Sequence, residues 1–145
     1  MGQYYYAVNL DKRQYIHPHK CGDGAKLMEF ATSSLGMMSC LAILLADGNG
    51  RGGGDMRSQN RLIGSWAGDR IVIAGDYADD GKFIPEKGYP GVPSFEGNLN
   101  SYAAETFDDI SIKIMRVLAE DTWIRQEIQS RRWLGSVKKE EILGR

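Results

Sequence analysis

Histidine is the side chain most readily used as a base or a metal ligand near neutral pH, and both histidines of this chain lie in one short segment. His17 and His19 flank Pro18, which holds the segment extended, so the two imidazoles project to the same side. Both rings can therefore reach one metal ion or one substrate. The alternative is a pair of sheet-edge histidines bonded to carbonyl groups or water, because no spacing such as His-Glu-x-x-His accompanies them.

A glycine-rich loop is the second candidate. Five of the seven residues 48–54 are glycine, too many for a helix or a strand. Such a loop can turn several backbone N–H groups toward an anion, and nearby arginines can add charge-assisted contacts. The predicted ligand contacts are Arg51, Gly52, Gly53, Gly54 and Asp55, with Arg57 or Arg61 as a second cation.

The alternative for this loop is a flexible connector whose arginines pair with nearby aspartates. Two nucleotide-binding motifs do not fit the sequence. The dinucleotide pattern needs an apolar-periodic helix after the glycines, and the P-loop needs a Lys-Ser or Lys-Thr pair; neither follows here.

Aspartates gather in a third segment, residues 69–80. Carboxylate oxygens are the ligands that Mg²⁺ and Ca²⁺ prefer, so Asp76 and Asp79 are predicted to hold a divalent cation. Asp69 and Arg70 are predicted to contact the ligand. The spacing is not that of a calcium-binding loop, and the alternative is a set of carboxylates that stabilise turns.

Together the three segments predict a small-molecule site for an anionic or phosphate-bearing ligand, formed where they meet. If the site hydrolyses its ligand, His17 or His19 acts as the base, with Asp76 and a bound divalent cation as the other participants. The alternative function is a protein-interaction or regulatory module without catalysis. It would present the tyrosine-rich residues 4–6 or the loop at residues 79–100 to a partner.

Charge and cysteine content narrow the class of partner. Eighteen basic residues against nineteen acidic ones leave the chain nearly neutral, so nucleic acid is not an expected partner. Cys21 and Cys40 occupy unrelated settings and suggest no disulfide framework. The sequence contains neither a signal-like N-terminal region nor an apolar run of membrane-spanning length. We therefore expect a cytoplasmic protein that does not associate with membranes.

The length of 145 residues predicts a single globular domain over residues 1–145, so a site lies within this fold or between copies of the chain. Alternating apolar residues predict a β-hairpin at residues 4–16. A second hairpin is predicted at residues 62–77, closed by Gly68-Asp69.

Helical periodicity predicts the remaining elements. Asp23 is predicted to cap a first helix that ends near Ser34. Residues 36–47 are apolar on all sides and predict either a buried helix or a central strand. One long helix is predicted within residues 106–135, and the loop at residues 79–100 is predicted to be irregular. The expected fold is α+β, with an antiparallel sheet built from two β-hairpins and two to three helices packed on one face.

Four short motifs resemble those of a group of small uncharacterised proteins. They are Asn9-Leu10-Asp11-Lys12, His17-Pro18-His19-Lys20, Arg51-Gly52-Gly53-Gly54-Asp55 and Trp66-Ala67-Gly68-Asp69-Arg70. The resemblance covers roughly the first 80 residues of the chain. It implies no activity, ligand or catalytic residue.

Overall fold

The computed structural model describes residues 2–144. Its strands are β1 (Tyr5–Asn9), β2 (Gln14–Ile16), β3 (Ile71–Gly75) and β4 (Asp108–Asp109). Its α-helices are α1 (Leu27–Ala31), α2 (Met37–Leu44), α3 (Leu99–Thr106), α4 (Ser111–Leu118), α5 (Thr122–Ser130) and α6 (Lys139–Leu143). Short 3-10 helices occupy Pro18–Lys20 and Pro85–Lys87.

The sheet is mixed, with the strand order β3-β1-β2-β4. β1 pairs antiparallel with β2 on one side and with β3 on the other. β4 pairs parallel with β2, and Asp108 N donates to Arg13 O while Ile110 N donates to Tyr15 O, both at 3.0 Å. The α+β class is thus confirmed, whereas the prediction of a purely antiparallel sheet is wrong. The cause is β4, which reaches the sheet only after the chain has passed through α3 and then runs in the direction of β2.

The second predicted hairpin does not form. β3 pairs with β1, and residues 62–67 make successive turns instead of a strand. Trp66 N donates to Leu44 O at 2.9 Å, which fixes these turns to the end of α2. The Trp66 side chain is completely buried, and its Nε1 donates to Gln14 Oε1 at 2.8 Å. Burial of this large ring with its polar atom satisfied outweighs the strand propensity of the segment.

Side chains alternate between two apolar clusters along β1. Ala7 faces a large cluster that contains residues of α2, α4, α5 and α6. Val8 faces a smaller cluster built around α3. Helices therefore lie on both faces of the sheet, and the prediction that they pack on one face is wrong. The sequence did not predict α3, because Leu99 and Ala103 are its only buried apolar residues.

The other helices follow the predicted periodicity in part. Residues 36–47 contain the helix α2 rather than a strand. The long helix predicted within residues 106–135 is divided into α4 and α5 by a break at residues 119–121. Asp23 does not cap α1, since its Oδ2 accepts from Met37 N, at the first residue of α2, at 2.8 Å. No described helix combines the length and apolar character needed to cross a bilayer.

Candidate functional site

Two side chains hold the glycine-rich loop in one shape. Asp55 Oδ2 accepts from Gly50 N at 2.9 Å and from Arg51 N at 2.8 Å. Asn49 Oδ1 accepts from Met56 N at 2.9 Å, while its Nδ2 donates to Met56 O at 3.1 Å. Gly50 has a φ of 104°, a conformation that a residue with a Cβ rarely adopts. The loop is therefore braced by its own polar side chains.

The braced loop borders a cleft made of two adjoining cavities. The first has a volume of about 540 Å³ and is lined by the loop, including Gly52 and Asp55. The second has a volume of about 550 Å³ and lies against the start of α5, where Trp123 is 60% exposed. Arg57 and Ser58 line both cavities and so connect them.

The arginines and the carboxylates around the cleft differ in whether they have partners within the protein. Arg51, Arg57 and Arg61 are exposed and form no ion pair with any described carboxylate. The carboxylates, by contrast, accept hydrogen bonds. Asp121 accepts from Arg57 N at 3.2 Å, and Glu120 accepts from a serine hydroxyl at 3.1 Å. These three guanidinium groups are thus the charged groups of this surface without a carboxylate partner among the described residues.

The two histidines follow β2 and belong to a row of aromatic rings. The ring centroids of His17 and His19 are 5.1 Å apart and stacked, Tyr6 lies 4.7 Å from His17, and Tyr4 lies 6.1 Å from His19. His17 Nδ1 accepts from His19 N at 3.2 Å, so this side chain caps the 3-10 helix Pro18–Lys20.

This environment keeps His17 uncharged. Burial, with a smaller contribution from His19, lowers the pKa of His17 to about 4 against the opposing charge of Asp109. Because Nδ1 is used as an acceptor, the neutral ring carries its proton on Nε2. At neutral pH His17 is therefore a hydrogen-bond donor, and this geometry does not support its predicted role as a base.

Asp109 lies beside the aromatic row, because β4 places it opposite Tyr15. Its Oδ2 is 2.5 Å from Lys20 Nζ, and its Oδ1 accepts from Ser111 Oγ at 2.5 Å. Burial alone would raise the pKa of the Asp109 carboxyl, but the hydrogen bonds from Lys20 and Ser111 hold it below its ordinary value. Burial and the Asp109 charge raise the pKa of Tyr15 to about 12. Lys20 and Asp109 thus form a partly buried ion pair, which the sequence did not predict.

Asp69 and Arg70 are bonded to the turn between β1 and β2. Asp69 Oδ2 accepts from Asn9 Nδ2 at 2.8 Å and from Lys12 Nζ at 2.6 Å. Arg70 donates to Asp11 through Nη2 at 2.7 Å and through its backbone N at 2.7 Å. Hydrogen bonds from Arg70 lower the pKa of Asp11. The Asp69 carboxylate and the Nε and Nη2 groups of Arg70 therefore stabilise this turn.

Asp76 lies at the other end of β3. Its Oδ1 accepts from Tyr4 N at 3.0 Å, and through Tyr4 it borders the two histidines. Asp79 is exposed. In the part of the chain that the structure describes, no three or more His, Cys, Asp or Glu side chains are arranged to hold a metal ion. A divalent cation at Asp76 and Asp79 would therefore need backbone oxygens or water as further ligands, and the predicted site stays a prediction.

The three segments named by the sequence do not converge. Asp69 and Arg70 lie at the Asn9 end of β1, and Asp76 lies with the histidines at its Tyr5 end. The glycine-rich loop is anchored separately, to the start of α5. The structure therefore brings His17, His19 and Asp76 to one end of the sheet and places the residues from Arg51 to Asp55 at a different surface.

Several residues of the cleft are missing from the sequence prediction. Arg57 appears there only as an alternative to Arg61, Asn49 does not appear, and Trp123, interpreted from the sequence as a core or edge residue, is 60% exposed. One signal was available for Trp123, because it stands next to Ile124 and thus outside the apolar stripe of its helix. The position of Trp123 therefore predicts exposure, although a single exposed aromatic residue does not by itself indicate a binding surface.

Comparisons of the chain with protein-family models, with curated proteins and with solved structures give no match. The case for a function therefore depends on the geometry of the cleft and of the aromatic row.

Proposed function

We propose that this protein binds a small anionic molecule of the phosphate-bearing class in the cleft beside the glycine-rich loop. One observation carries the proposal. The carboxylates at the cleft accept hydrogen bonds from backbone and hydroxyl groups, whereas Arg57, one of the residues that line both cavities, has a guanidinium group without a partner within residues 2–144. A free guanidinium group offers paired N–H donors whose spacing matches two phosphate oxygens.

The loop adds backbone donors to this arginine. Asp55 occupies the N–H groups of Gly50 and Arg51, but those of Gly52, Gly53 and Gly54 have no acceptor among the described residues. The space around these three glycines is open. Of these three residues Gly52 lines the first cavity, and we propose that its N–H contacts the anion.

Preorganisation supports the same proposal. A loop with five glycines loses a large conformational entropy when a ligand orders it, and this loss weakens binding. The hydrogen bonds of Asn49 and Asp55 already hold the loop in the free protein. The loop has therefore already lost its conformational entropy on folding, and the ligand does not have to order it on binding.

The second cavity favours a ligand with a ring next to its charged group. Trp123 presents an indole that is 60% exposed, and Gln126 lines the same cavity with amide donors and acceptors. Volumes of about 540 Å³ and about 550 Å³ are typical of small-molecule sites. A nucleotide or a sugar phosphate would place its phosphate at Arg57 and its ring at Trp123.

The proposal is limited to binding. The residues that the sequence predicts for hydrolysis, His17, His19, Asp76 and Asp79, lie outside this cleft, and His17 is a donor rather than a base. A catalytic step therefore forms no part of the proposed function.

Thermal unfolding in the presence of nucleotides, sugar phosphates and pyrophosphate tests the proposal. A ligand at one hundred times its dissociation constant stabilises the folded state by about 2.7 kcal/mol, which raises the Tm of a chain of this size by about 5–10 °C. For any compound that binds, Arg57→Ala should weaken affinity about 10- to 150-fold, since a charge-assisted hydrogen bond contributes about 1.5–3 kcal/mol.

Arg132→Ala is the matched control. Arg132 is equally exposed and carries the same charge, but it lies beyond the end of α5 and lines neither cavity. Its removal should leave affinity unchanged. The proposal fails if no compound of the panel raises the Tm. It also fails if Arg57→Ala and Arg132→Ala weaken binding equally, since the effect would then come from overall charge and not from the cleft.

A further inference from the structure

β3 is an edge strand without the features that protect such strands. It lies at one margin of the sheet and pairs only with β1. Its sequence, Ile-Val-Ile-Ala-Gly, contains no charged residue and no proline. Edge strands of monomeric proteins are protected by charge, proline, bulges or short length. β4, at the opposite margin, is protected twice, because it has only two residues and both are aspartate.

The register of the sheet determines which backbone groups of β3 face outward. Leu10 N donates to Arg70 O and Asp76 N donates to Tyr4 O, each at 2.9 Å. Facing residues alternate along an antiparallel pair, so Val72 also points its N–H and C=O toward β1, and Ile73 points them away. The same alternation turns the N–H and C=O groups of Ile71 outward.

These outward groups have no hydrogen-bond partner within residues 2–144. The side chain of Ile73 is also solvent-accessible, with 37% of the residue exposed. An apolar strand with open donors and acceptors is a template for pairing with another strand.

We propose that β3 pairs antiparallel with β3 of a second copy of this chain, around a two-fold axis at Ile73, so that the protein forms a homodimer. The two four-stranded sheets then become one continuous sheet. In this register Ile73 of each copy exchanges both N–H···O bonds with Ile73 of the other, and Gly75 N of each copy donates to Ile71 O of the other. The pairing satisfies the open N–H and C=O groups of Ile73 and the C=O of Ile71, while Gly75 O already accepts from Ala78 N of its own chain at 3.2 Å.

Charge complementarity supports a second copy as the occupant. With Ile73 on the axis, residues whose numbers sum to 146 face each other, so Arg70 faces Asp76 of the second copy. Symmetry makes this contact twice. Arg70 has a free edge of its guanidinium beyond its bonds to Asp11, and Asp76 Oδ2 accepts from no described donor. Other registers place Arg70 opposite an uncharged residue of β3 or opposite its own copy, and they lose this complementarity.

The apolar side chains fit the same arrangement. Ile73 packs directly against Ile73 of the second copy on one face of the sheet. Gly75 opposite Ile71 has no side chain, and the amide of Gln3 covers it, so Ile71 of the second copy would pack against Gln3. The most exposed apolar side chain of β3 is thereby buried by its own copy.

Sedimentation equilibrium of the full chain tests the pairing, with a concentration-dependent monomer–dimer equilibrium as the expected result. Ile73→Lys should weaken the dimer at least tenfold, because it places two ammonium groups opposite each other at the axis. Met28→Lys is the matched control, since Met28 is an exposed apolar residue that belongs to α1 and not to the edge strand; this variant should dimerise like the original chain. A monomer at every concentration, or equal weakening by both variants, would overturn the proposal.

Cross-linking by cysteine provides a test that does not depend on weakening the fold. Ile73→Cys should form a disulfide-linked dimer in air, because Cα atoms of a hydrogen-bonded antiparallel pair lie about 5.5 Å apart. Tyr77→Cys should not, although Tyr77 is more exposed, because the two copies of this residue would lie about 27 Å apart along the paired strands. Equal cross-linking of the two variants would refute this register, and absence of cross-linking at Ile73→Cys would refute the pairing.

Discussion

Replacing Asp23 tests the buried ion pair that links the start of the chain to its end. The Asp23 side chain is 1% exposed and that of Arg131 is 16% exposed, and Arg131 Nη2 lies 2.8 Å from Asp23 Oδ1. Asp23 also accepts from Ser33 Oγ and from Met37 N, the latter at 2.8 Å. Arg131 Nη1 is buried and has no partner among the described residues, so the guanidinium depends on this one carboxylate for its charge balance.

The expected loss follows from what each substitution leaves behind. Asp23→Ala strands a buried guanidinium and removes the cap of α2, and breaking a buried pair from one side costs about 3–5 kcal/mol of unfolding free energy. Asp23→Asn keeps an oxygen for Met37 N but removes the charge, so its loss should be smaller by the roughly 1 kcal/mol of the cap. With a urea slope of about 2 kcal/mol/M, Asp23→Ala should lower the midpoint by about 1.5–2.5 M.

Asp11→Ala is the control. Asp11 also accepts several hydrogen bonds from one arginine, Arg70, but the two side chains are 34% and 36% exposed. An exposed pair contributes about 0–1 kcal/mol, so the urea midpoint should move by less than about 0.5 M. A loss of less than about 1 kcal/mol for Asp23→Ala, or equal losses for Asp23 and Asp11, would show that burial of the pair does not determine its contribution.

Four further variants have outcomes that the structure determines. Leu118→Ala should lower the free energy of unfolding in urea by about 2–5 kcal/mol, because Leu118 is 2% exposed in the main core. A loss below about 1 kcal/mol would contradict the packing of α4 in this core. Gly64→Ala should cost about 1–3 kcal/mol, because φ is +77° and a Cβ would lie 2.5 Å from Ala46 O; unchanged stability would contradict this turn. Arg51→Ala should change the Tm of the free protein by no more than about 1–2 °C, because the backbone N of residue 51 still donates to Asp55. The same variant should weaken the binding of any phosphate compound that the thermal screen identifies. A destabilised variant with unchanged affinity would contradict a ligand-binding role of the loop. The pKa of His17 is about 4 in the folded state and 6.5 in the unfolded state, so the unfolded state binds the proton first as pH falls. The free energy of unfolding should therefore drop between pH 6.5 and 4, by about 1–2 kcal/mol after allowance for solvent screening. His17→Gln should flatten this dependence, and an unchanged slope would assign it to other groups.

Local periodicity predicts the elements that are long and apolar on one side. It locates α2 and the stripe of α4 and α5, but it cannot detect the break between them, because Ile124 and Ile128 continue the stripe in phase with α4. It also cannot detect β4, since two residues have no periodicity. Both misses come from contacts made between distant parts of the chain.

Polar residues were harder to assign than apolar ones. The prediction that Asp23 caps the first helix is wrong, because its carboxylate accepts from Met37 N at the start of α2, fourteen residues onward. Asp55 was predicted to contact a ligand, and its carboxylate instead accepts from the loop's own backbone. An aspartate is written the same way in the sequence whether its carboxylate binds a ligand or a backbone amide, so only the folded structure distinguishes the two.

The separation in sequence between paired groups also determines when the protein can begin to fold on the ribosome. His17 N donates to Ser111 Oγ across 94 positions, and Asp23 pairs with Arg131 across 108. At about 5–20 residues per second, the first of these partners is made about 5–20 s after His17. During that interval β1, and β3 once residues 71–75 have been made, lack α4, and they lack α3 until residues 99–106 have been made. We therefore expect translation speed and chaperone supply to determine the yield of this protein more strongly than its final stability does.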